Sequence, residues 1–158
     1  MNIQKQLPLR IGVGIVLLNN KNNVLVGKRI DNPKNFWQMP QGGVDKNEDL
    51  FEAAKRELQE ETSVRSVKLI KELDSWLEYD LPNKLLGKIW KGKYRGQKQK
   101  WFIMEFLGKN NEINVKTKNP EFLDWKWVKS SKLPDIAVNF KTHIYKKIEQ
   151  ELISLNLN

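Results

Sequence analysis

The chain has 158 residues, of which 28 are Lys or Arg and 19 are Asp or Glu, so its net charge at pH 7 is +9. This length is typical of one domain with one hydrophobic core, and we expect a single domain over residues 1–158. The sequence contains no cysteine, which excludes disulfides, thiolate nucleophiles and cysteine-based zinc sites. Its one histidine, His143, makes histidine metal triads and Ser–His–Asp catalysis implausible. Acid–base and metal chemistry must therefore rest on carboxylates.

The N-terminal part of the chain predicts two buried strands joined by a polar turn. Ile11–Leu18 and Val24–Ile30 are the two apolar runs, and the Asn- and Lys-rich residues 19–23 lie between them. No run is apolar over the length that a bilayer requires, and the N-terminus lacks a charged segment followed by a long apolar one. We therefore expect a cytoplasmic protein that makes no membrane contact.

Residues 40–43, which follow Phe36–Met39, predict a turn, because the two glycines that end it adopt backbone angles that other residues avoid. The residues after this turn predict the start of a helix. Either Asp45 or Asn47 can cap that helix, and Glu48 suits the positive end of its dipole.

Three carboxylates on this helix, Glu57, Glu60 and Glu61, are spaced by three and four residues. Such spacings place side chains on one face, one turn apart, and here that face overlaps the apolar arc of the helix. Like charges near a core repel one another and lose hydration unless a hard cation such as Mg²⁺, Mn²⁺ or another divalent ion compensates them. The alternative is a solvated helix rich in Glu and Lys, a pattern that only Glu52 with Arg56 fits well. The spacing favours a metal site.

The second half of the chain predicts more strands and a terminal helix. Apolar alternation or aromatic runs indicate strands at 65–73, 101–107, 112–115 and 125–127. Apolar residues recur every four positions from Phe140 to Leu152, which predicts an amphipathic helix that begins near Pro134. The expected fold class is α/β, with a mixed sheet between helices.

Residues 81–102 contain no acid but carry many basic residues and three glycines. This composition predicts a long mobile loop or a hairpin that presents positive charge to phosphates. A charge run is more often solvated surface, and a lysine-rich chain can reflect an AT-rich genome, but the acidic helix favours a polyanionic substrate. The basic residues are Lys84, Lys88, Lys91, Lys93, Arg95, Lys98 and Lys100.

Residues 42–64 resemble the signature box of the Nudix hydrolases, which cleave nucleoside diphosphates linked to another moiety. The pattern is Gly42, five residues, Glu48, seven residues, and then Arg56-Glu57-Leu58-x-Glu60-Glu61. Such a long and spaced match is specific, and it implies an α/β/α sandwich with a mixed sheet between helices. One departure is Ser63, where the box has the glycine that favours left-handed backbone at a helix end. We expect modest local strain there.

Segments outside the box are similar to one branch of that family, the bacterial RNA pyrophosphohydrolases and the related diadenosine tetraphosphate hydrolases. The similarity covers residues 8–150, although Leu9-Arg10-Ile11 replaces the Tyr-Arg-Pro that is usual in the branch. It implies a 5′-triphosphorylated RNA or a dinucleoside polyphosphate as substrate, and it identifies no protein partner. A non-catalytic RNA-binding module is the alternative of another class, which the intact acids disfavour. The segments are 37–43, 76–82, 96–102, 120–127 and 140–145.

The resemblance assigns roles to the acidic residues. Glu57, Glu60 and Glu61 are expected to ligate metal, assisted by a backbone carbonyl near residues 41–42, and Arg56 to hold a glutamate in orientation. Glu121 resembles the distal acid of the branch, which closes the metal site or serves as base, but it could equally be an exposed loop acid. Glu57 is the first candidate for the general base and Glu121 the second.

Substrate contacts are assigned to cationic and aromatic residues. Tyr79 and Phe140 are candidates to stack on a base, and Phe140 could equally be the first core residue of the last helix. Trp90, which lies between lysines, is expected to be the exposed tryptophan. The candidates for phosphate contacts are Arg10, Arg29, Lys84, Lys98 and Lys100.

Overall fold

The computed structural model describes residues 6–31 and 34–158. The expected lack of an N-terminal leader depends partly on residues 1–5, which lie outside that part of the chain. Within the described residues, eight strands and three α-helices are formed. The strands are β1 (Leu9–Leu18), β2 (Val24–Arg29), β3 (Trp37–Gln38), β4 (Gln41–Gly43), β5 (Val67–Glu72), β6 (Leu77–Asp80), β7 (Gly96–Phe106) and β8 (Phe122–Val128). The helices are α1 (Leu50–Thr62), α2 (Leu133–Ile136) and α3 (Thr142–Ser154).

The strands form one mixed sheet around β1 and β7. These two long strands are parallel, with a register that runs from Leu9 opposite Gly96 to Leu18 opposite Glu105. All other pairings are antiparallel: β4 and β2 with β1, β3 and β8 with β2, and β5 and β6 with β7. The predicted mixed sheet is therefore confirmed.

Helices cover both faces of this sheet. On one face, Leu58 of α1 packs in a cluster with Ile15 of β1 and Phe102 of β7. On the other, Ile148 of α3 packs in a cluster with Val16 and Trp101. A strand that is buried on both faces has a nearly continuous apolar sequence, which explains the run in β1. The predicted α/β fold with its sheet between helices is confirmed.

One predicted strand and one predicted helix boundary are wrong. Residues 112–115 form no strand, although Ile113 and Val115 are buried in alternation, because this segment pairs with no strand among the described residues. The terminal helix begins at Thr142, eight residues after Pro134, because Pro134 belongs to the short helix α2 and extended backbone at Ala137 (ψ 146°) ends that helix.

The helix that carries the acids begins and ends at defined caps. Its N-cap is Asp49, whose carboxylate accepts a hydrogen bond from the Glu52 N–H at 3.1 Å, so neither Asp45 nor Asn47 has that role. Its C-cap is Ser63, which has the expected left-handed backbone (φ 67°). The Ser63 N–H donates to the Gln59 carbonyl at 2.8 Å, and its hydroxyl donates to the Asn114 carbonyl at 2.8 Å.

The basic segment forms a hairpin, one of the two predicted alternatives. Strands β6 and β7 are antiparallel, and residues 81–95 connect them. Residues of this connection and of α1 line one cavity. No helix in the described part of the chain combines the length and the apolar character that crossing a bilayer requires.

Candidate active site

A cavity of about 900 Å³ opens at the end of the sheet where β4, α1, the 81–95 connection and the residues before α3 meet. Acidic side chains from α1 line one wall. Cationic and aromatic side chains line the remainder, and the sequence-predicted residues among them are Arg10, Arg29, Tyr79, Lys84, Trp90 and Phe140. Trp90, expected to be exposed, is half-buried.

Of the three helical acids in the acidic wall, Glu61 is buried and Glu57 is half-buried. Glu61 is 5% exposed, and its Oε2 atom has no hydrogen-bond partner. Burial, together with the charges of Glu57 and Glu121, raises the pKa of Glu61 well above its usual value. Burial also raises the pKa of Glu57 to about 7, against the opposing effect of Arg56. Glu60 lines the cavity with a mostly exposed side chain.

Arg56 organises this wall through four acceptors. Its Nε and Nη2 donate to the two Glu48 oxygens at 2.9 and 3.0 Å, and Nη2 also donates to the Gly43 carbonyl at 3.0 Å. Its Nη1 donates to Glu57 Oε1 at 2.9 Å and more weakly to Glu60. Hydrogen bonds from Arg56 lower the pKa of Glu48 to about 2. Arg56, which is held by Glu48, thus orients the Glu57 carboxylate.

Gly42 allows the Glu57 carboxylate to lie directly against the backbone of β4. A Cβ atom at residue 42 would overlap the Glu57 carboxyl group. The backbone of the neighbouring Gln41 lowers the pKa of Glu61 against the effect of burial. The prediction of a turn at residues 40–43 is wrong, because residues 41–43 form strand β4 and neither Gly42 nor Gly43 has a positive φ. Glycine is required at residue 42 because the backbone approaches Glu57 closely.

The donor set fits a divalent cation. In the described residues, no three His, Cys, Asp or Glu side chains already form a metal-holding group. However, Glu61 Oε2 is buried without a partner, and the charge of Glu57 contributes to the raised pKa of Glu61. Carboxylate oxygens are the ligands that Mg²⁺ and Mn²⁺ prefer. A cation between these acids would satisfy the orphaned oxygen and compensate both charges.

Glu121, from the loop before β8, reaches the same wall. It lines the cavity, its charge contributes to the raised pKa of Glu61, and its Oε2 lies 3.8 Å from Arg29 Nη2. Half of its side chain is exposed. Although Glu121 lies 60 positions beyond Glu61 in sequence, the structure brings the two acids together, which spacing alone could not predict.

Two predicted phosphate contacts do not line the cavity. Lys98 and Lys100 lie over the Trp76 ring, with 5.2 and 5.7 Å from their Nζ atoms to its centroid. The Lys100 Nζ also donates to the Asp74 carbonyl at 2.8 Å. Successive residues of β7 point to opposite faces, so these lysines turn away from the cavity. The expectation that they contact phosphates at this site is corrected.

Gln97 and Gln99, which alternate with those lysines along β7, form a buried amide chain that the sequence analysis missed. Gln99 Nε2 donates to Gln41 Oε1 at 2.9 Å and to Gln97 Oε1 at 3.1 Å, and the Tyr79 hydroxyl donates to Gln97 Oε1 at 2.9 Å. Gln97 Nε2 and Gln99 Oε1 are buried without partners. Strict Gln-Lys alternation in β7 was the available signal, because it predicts amides on one face and ammonium groups on the other.

Lys141 was also missed. It is buried, and its Nζ lies 5.2 Å from the Tyr79 ring centroid and 5.9 Å from that of Phe140. Burial, followed by the charge of Arg29, lowers the pKa of Lys141 to about 7. Tyr79 and Phe140 pack together with centroids 5.5 Å apart. Phe140 lies before the last helix, which begins at Thr142, and it lines the cavity. It is therefore not the first core residue of that helix.

Comparisons with known proteins agree with this geometry. Residues 8–148 match the NUDIX domain. A protein of Pelagibacter ubique (strain HTCC1062) named RNA pyrophosphohydrolase is 63% identical over 146 residues, which is 92% of each chain. A protein of the same name from Bradyrhizobium sp. (strain ORS 278) is 46% identical over 165 residues, which is 98% of each chain.

Two solved structures share the fold at low sequence identity. The dihydroneopterin triphosphate pyrophosphohydrolase of E. coli has a TM-score of 0.73 at 22% identity, over 93% of this chain and 99% of that one. The Ap4A hydrolase of C. elegans has a TM-score of 0.63 at 18% identity, over 90% of this chain and 98% of that one. These likenesses concern the fold alone.

Proposed function

The chain belongs to the Nudix hydrolase family, and on that premise we propose that it is an RNA 5′-pyrophosphohydrolase. It converts 5′-triphosphorylated RNA ends to 5′-monophosphates with release of pyrophosphate. This exposes transcripts to nucleases in the cytoplasm. The observation that carries the proposal is the pair of the half-buried Glu57 and the buried Glu61 at one wall of a cavity whose other walls carry Arg10, Arg29 and Lys84.

The acidic wall supplies the chemistry. Glu57 and Glu61, with Glu60 and Glu121, would hold divalent cations, which neutralise phosphate oxygens and lower the pKa of bound water. Glu57 is the first candidate for the general base and Glu121 the second, since both carboxylates line the cavity. Arg56 holds the Glu57 carboxylate in place at 2.9 Å. Water adds to phosphorus, one P–O anhydride bond breaks, and the proton of the water passes to Glu57.

The cationic and aromatic walls bind the substrate. Arg10, Arg29 and Lys84 line the cavity. They would contact the phosphate chain, and their charge would offset the repulsion between that chain and the acids. Tyr79 and Phe140, which pack side by side, present aromatic surface to a nucleobase. These features suit both a triphosphorylated RNA end and a dinucleoside polyphosphate.

The 81–95 connection favours the polymer. Lys88, Lys91 and Lys93 are exposed, do not line the cavity, and lie within three residues of Ile89 and Trp90, which do line it. Charge outside the cavity serves a substrate that extends past it, as an RNA chain does. The second candidate, a diadenosine tetraphosphate hydrolase that forms ATP and AMP, leaves these lysines without a role.

One comparison of substrates tests the proposal. The protein is assayed with a 5′-triphosphorylated RNA and with diadenosine tetraphosphate at one Mg²⁺ concentration, and the released products are separated. We expect a higher kcat/KM for the RNA, with pyrophosphate released. A preference for diadenosine tetraphosphate would support the second candidate. Binding of RNA with no turnover of either compound would support the non-catalytic module.

A further inference from the structure

The 81–95 connection contains a strained turn next to Arg10. Trp90 and Lys91 both have left-handed backbone, with φ of 51° and 57°, and Gly92 follows at 71°. Side chains larger than glycine adopt this conformation at a cost in free energy, and a tryptophan there is unusual. Strain of this kind persists where the surrounding structure imposes it, and it is often associated with a functional site.

Hydrogen bonds hold the turn in this conformation. The Gly92 N–H donates to the Ile89 carbonyl at 3.0 Å, and the Lys93 N–H donates to the Trp90 carbonyl at 3.2 Å. The Arg95 N–H donates to the Pro8 carbonyl at 3.1 Å, which ties the connection to the chain just before β1. The turn and Arg10 are therefore fixed relative to each other through a contact two residues from Arg10.

The result of this arrangement is a stacked pair. The Arg10 guanidinium carbon lies 5.2 Å from the centroid of the Trp90 ring, within the range of a cation–π contact. The Tyr94 ring packs against Trp90 in an edge-to-face arrangement, with centroids 6.3 Å apart and planes at 74°. Trp90 thus contacts both Arg10 and Tyr94.

Arg10 faces the acidic wall from this position. A Cβ atom at Gly43 would overlap the Arg10 guanidinium, and the charge of Arg10 lowers the pKa of Glu57. In residues 6–31 and 34–158, no carboxylate forms an ion pair with Arg10. Its sequence neighbours Leu9 and Ile11 are apolar and offer no polar partner. Among the described residues, Arg10 is supported by the face of Trp90 and by close packing against the Gly43 backbone.

We propose that Trp90 is a positioning residue for phosphate binding, which acts by holding the Arg10 guanidinium over the cavity beside the acidic wall. The proposal rests on the proposed function and extends it. Without the indole face, Arg10 would populate several rotamers, and each phosphate contact would cost the entropy of ordering a long side chain. Loss of Trp90 would therefore weaken productive binding of the triphosphate end and leave the acids in place.

A double-mutant cycle tests this role. The variants are Trp90→Leu, Arg10→Ala and the double variant, with Trp90→Phe as the conservative change and Trp127→Leu as the matched control. Trp127 is half-buried, packs against Phe106 and does not line the cavity. Steady-state kinetics with 5′-triphosphorylated RNA give kcat and KM for each, and thermal unfolding reports folding.

We expect Trp90→Leu to raise KM by about 3- to 30-fold, the range of one cation–π contact, with a smaller change in kcat. Trp90→Phe should recover most of this loss, because an aromatic face remains. In the Arg10→Ala background, Trp90→Leu should have no further effect. Trp127→Leu should keep the wild-type KM.

Several results would overturn the proposal and not the proposed function. If the wild type hydrolyses the RNA but Trp90→Leu keeps the wild-type KM, Trp90 has no positioning role. An equal loss from Trp90→Leu with and without Arg10 would also reject it, because Trp90 would then act independently. If Trp90→Leu fails to fold, the same cycle with Trp90→Met, another change that removes the aromatic face, decides the coupling. Absence of wild-type turnover would instead reject the proposed function.

Discussion

The acidic wall and the basic connection flank one cavity but are built differently. Glu57 and Glu61 project from a capped helix into a buried environment, and Arg56 and the β4 backbone fix their positions. Lys88, Lys91 and Lys93 lie on an exposed connection held by local turns. Buried charge is expensive and is retained where chemistry uses it, whereas exposed charge mainly steers and binds. Changes in the acidic wall should therefore alter turnover, and changes in the connection should alter affinity.

The largest effect is expected from Glu57→Gln. This change keeps the shape of the side chain but removes the base and one metal-binding charge, so kcat should fall by about 10²- to 10⁴-fold or more. RNA affinity should change little, because the cationic wall is untouched. Glu52→Gln, on the exposed side of the same helix, is the control and should keep the wild-type kcat. Equal rates for wild type and Glu57→Gln would reject the catalytic role.

A pH dependence of metal binding should follow from the acidic wall. Glu57 has a folded pKa of about 7 against an ordinary value of 4.5, so the fold favours its protonated form. Without metal, its contribution to stability is present below pH 4.5 and is lost as the pH rises through 7. A proton competes with the cation, so Mg²⁺ affinity should fall by up to about tenfold per pH unit below 7.

The shift of the unfolding temperature on adding Mg²⁺ measures this dependence. The shift should grow from pH 5.5 to pH 8 in the wild type, and Glu57→Gln should flatten the profile. A shift that is the same at every pH would show that no carboxylate of raised pKa takes part in binding.

Exposed lysines of the connection should give a smaller effect, on affinity alone. Replacing Lys88, Lys91 and Lys93 together by Gln should weaken RNA binding and make the slope of log affinity against log salt shallower by about two. The kcat at saturating RNA should stay near the wild-type value. Replacing Lys68, Lys109 and Lys146, which are exposed and do not line the cavity, changes the net charge equally and is the control. Equal losses from both sets would mean that only the net charge matters.

The smallest expected effect concerns stability at the end of α1. At Ser63, glycine relieves left-handed strain but loses the hydroxyl contact with Asn114, whereas alanine keeps the strain and loses the same contact. Ser63→Gly should therefore exceed Ser63→Ala by about 1 kcal/mol in the free energy of urea unfolding. At Ser131, in a 3-10 turn, the order should be reversed. If Ser63→Ala has the same free energy of unfolding as Ser63→Gly, the left-handed backbone at residue 63 carries no strain.

Local patterns predicted the features that depend on short spacing. Periodicities within a few residues predict the shared face of Glu57, Glu60 and Glu61 and the apolar strands β1 and β2. The left-handed backbone at Ser63 was expected from the glycine of the signature box that residues 42–64 resemble. The approach of Glu121 to Glu61 depends on the position of β8 beside β2, which no local pattern contains.

The errors have the same origin. Lys98 and Lys100 were assigned to the cavity because their charge is visible in the sequence, while the face they occupy depends on the register of β7. Alternation at Ile113 and Val115 resembled a strand, but a strand requires a partner, and this segment has none in the part of the chain that is described. Lys141 was not predicted as a site residue, because its burial depends on contacts with residues distant in sequence, such as Tyr79.

Direct titration with Mn²⁺, followed by its electron paramagnetic resonance signal, tests the metal site without an assay of activity. The wild type and Glu52→Gln should bind Mn²⁺ with equal affinity, because Glu52 lies on the solvent side of α1. Glu61→Gln, which replaces the buried carboxylate whose Oε2 has no partner, should weaken binding by at least about tenfold. If Glu61→Gln binds Mn²⁺ as tightly as the wild type does, or if the wild type binds none, the buried acids do not hold the metal.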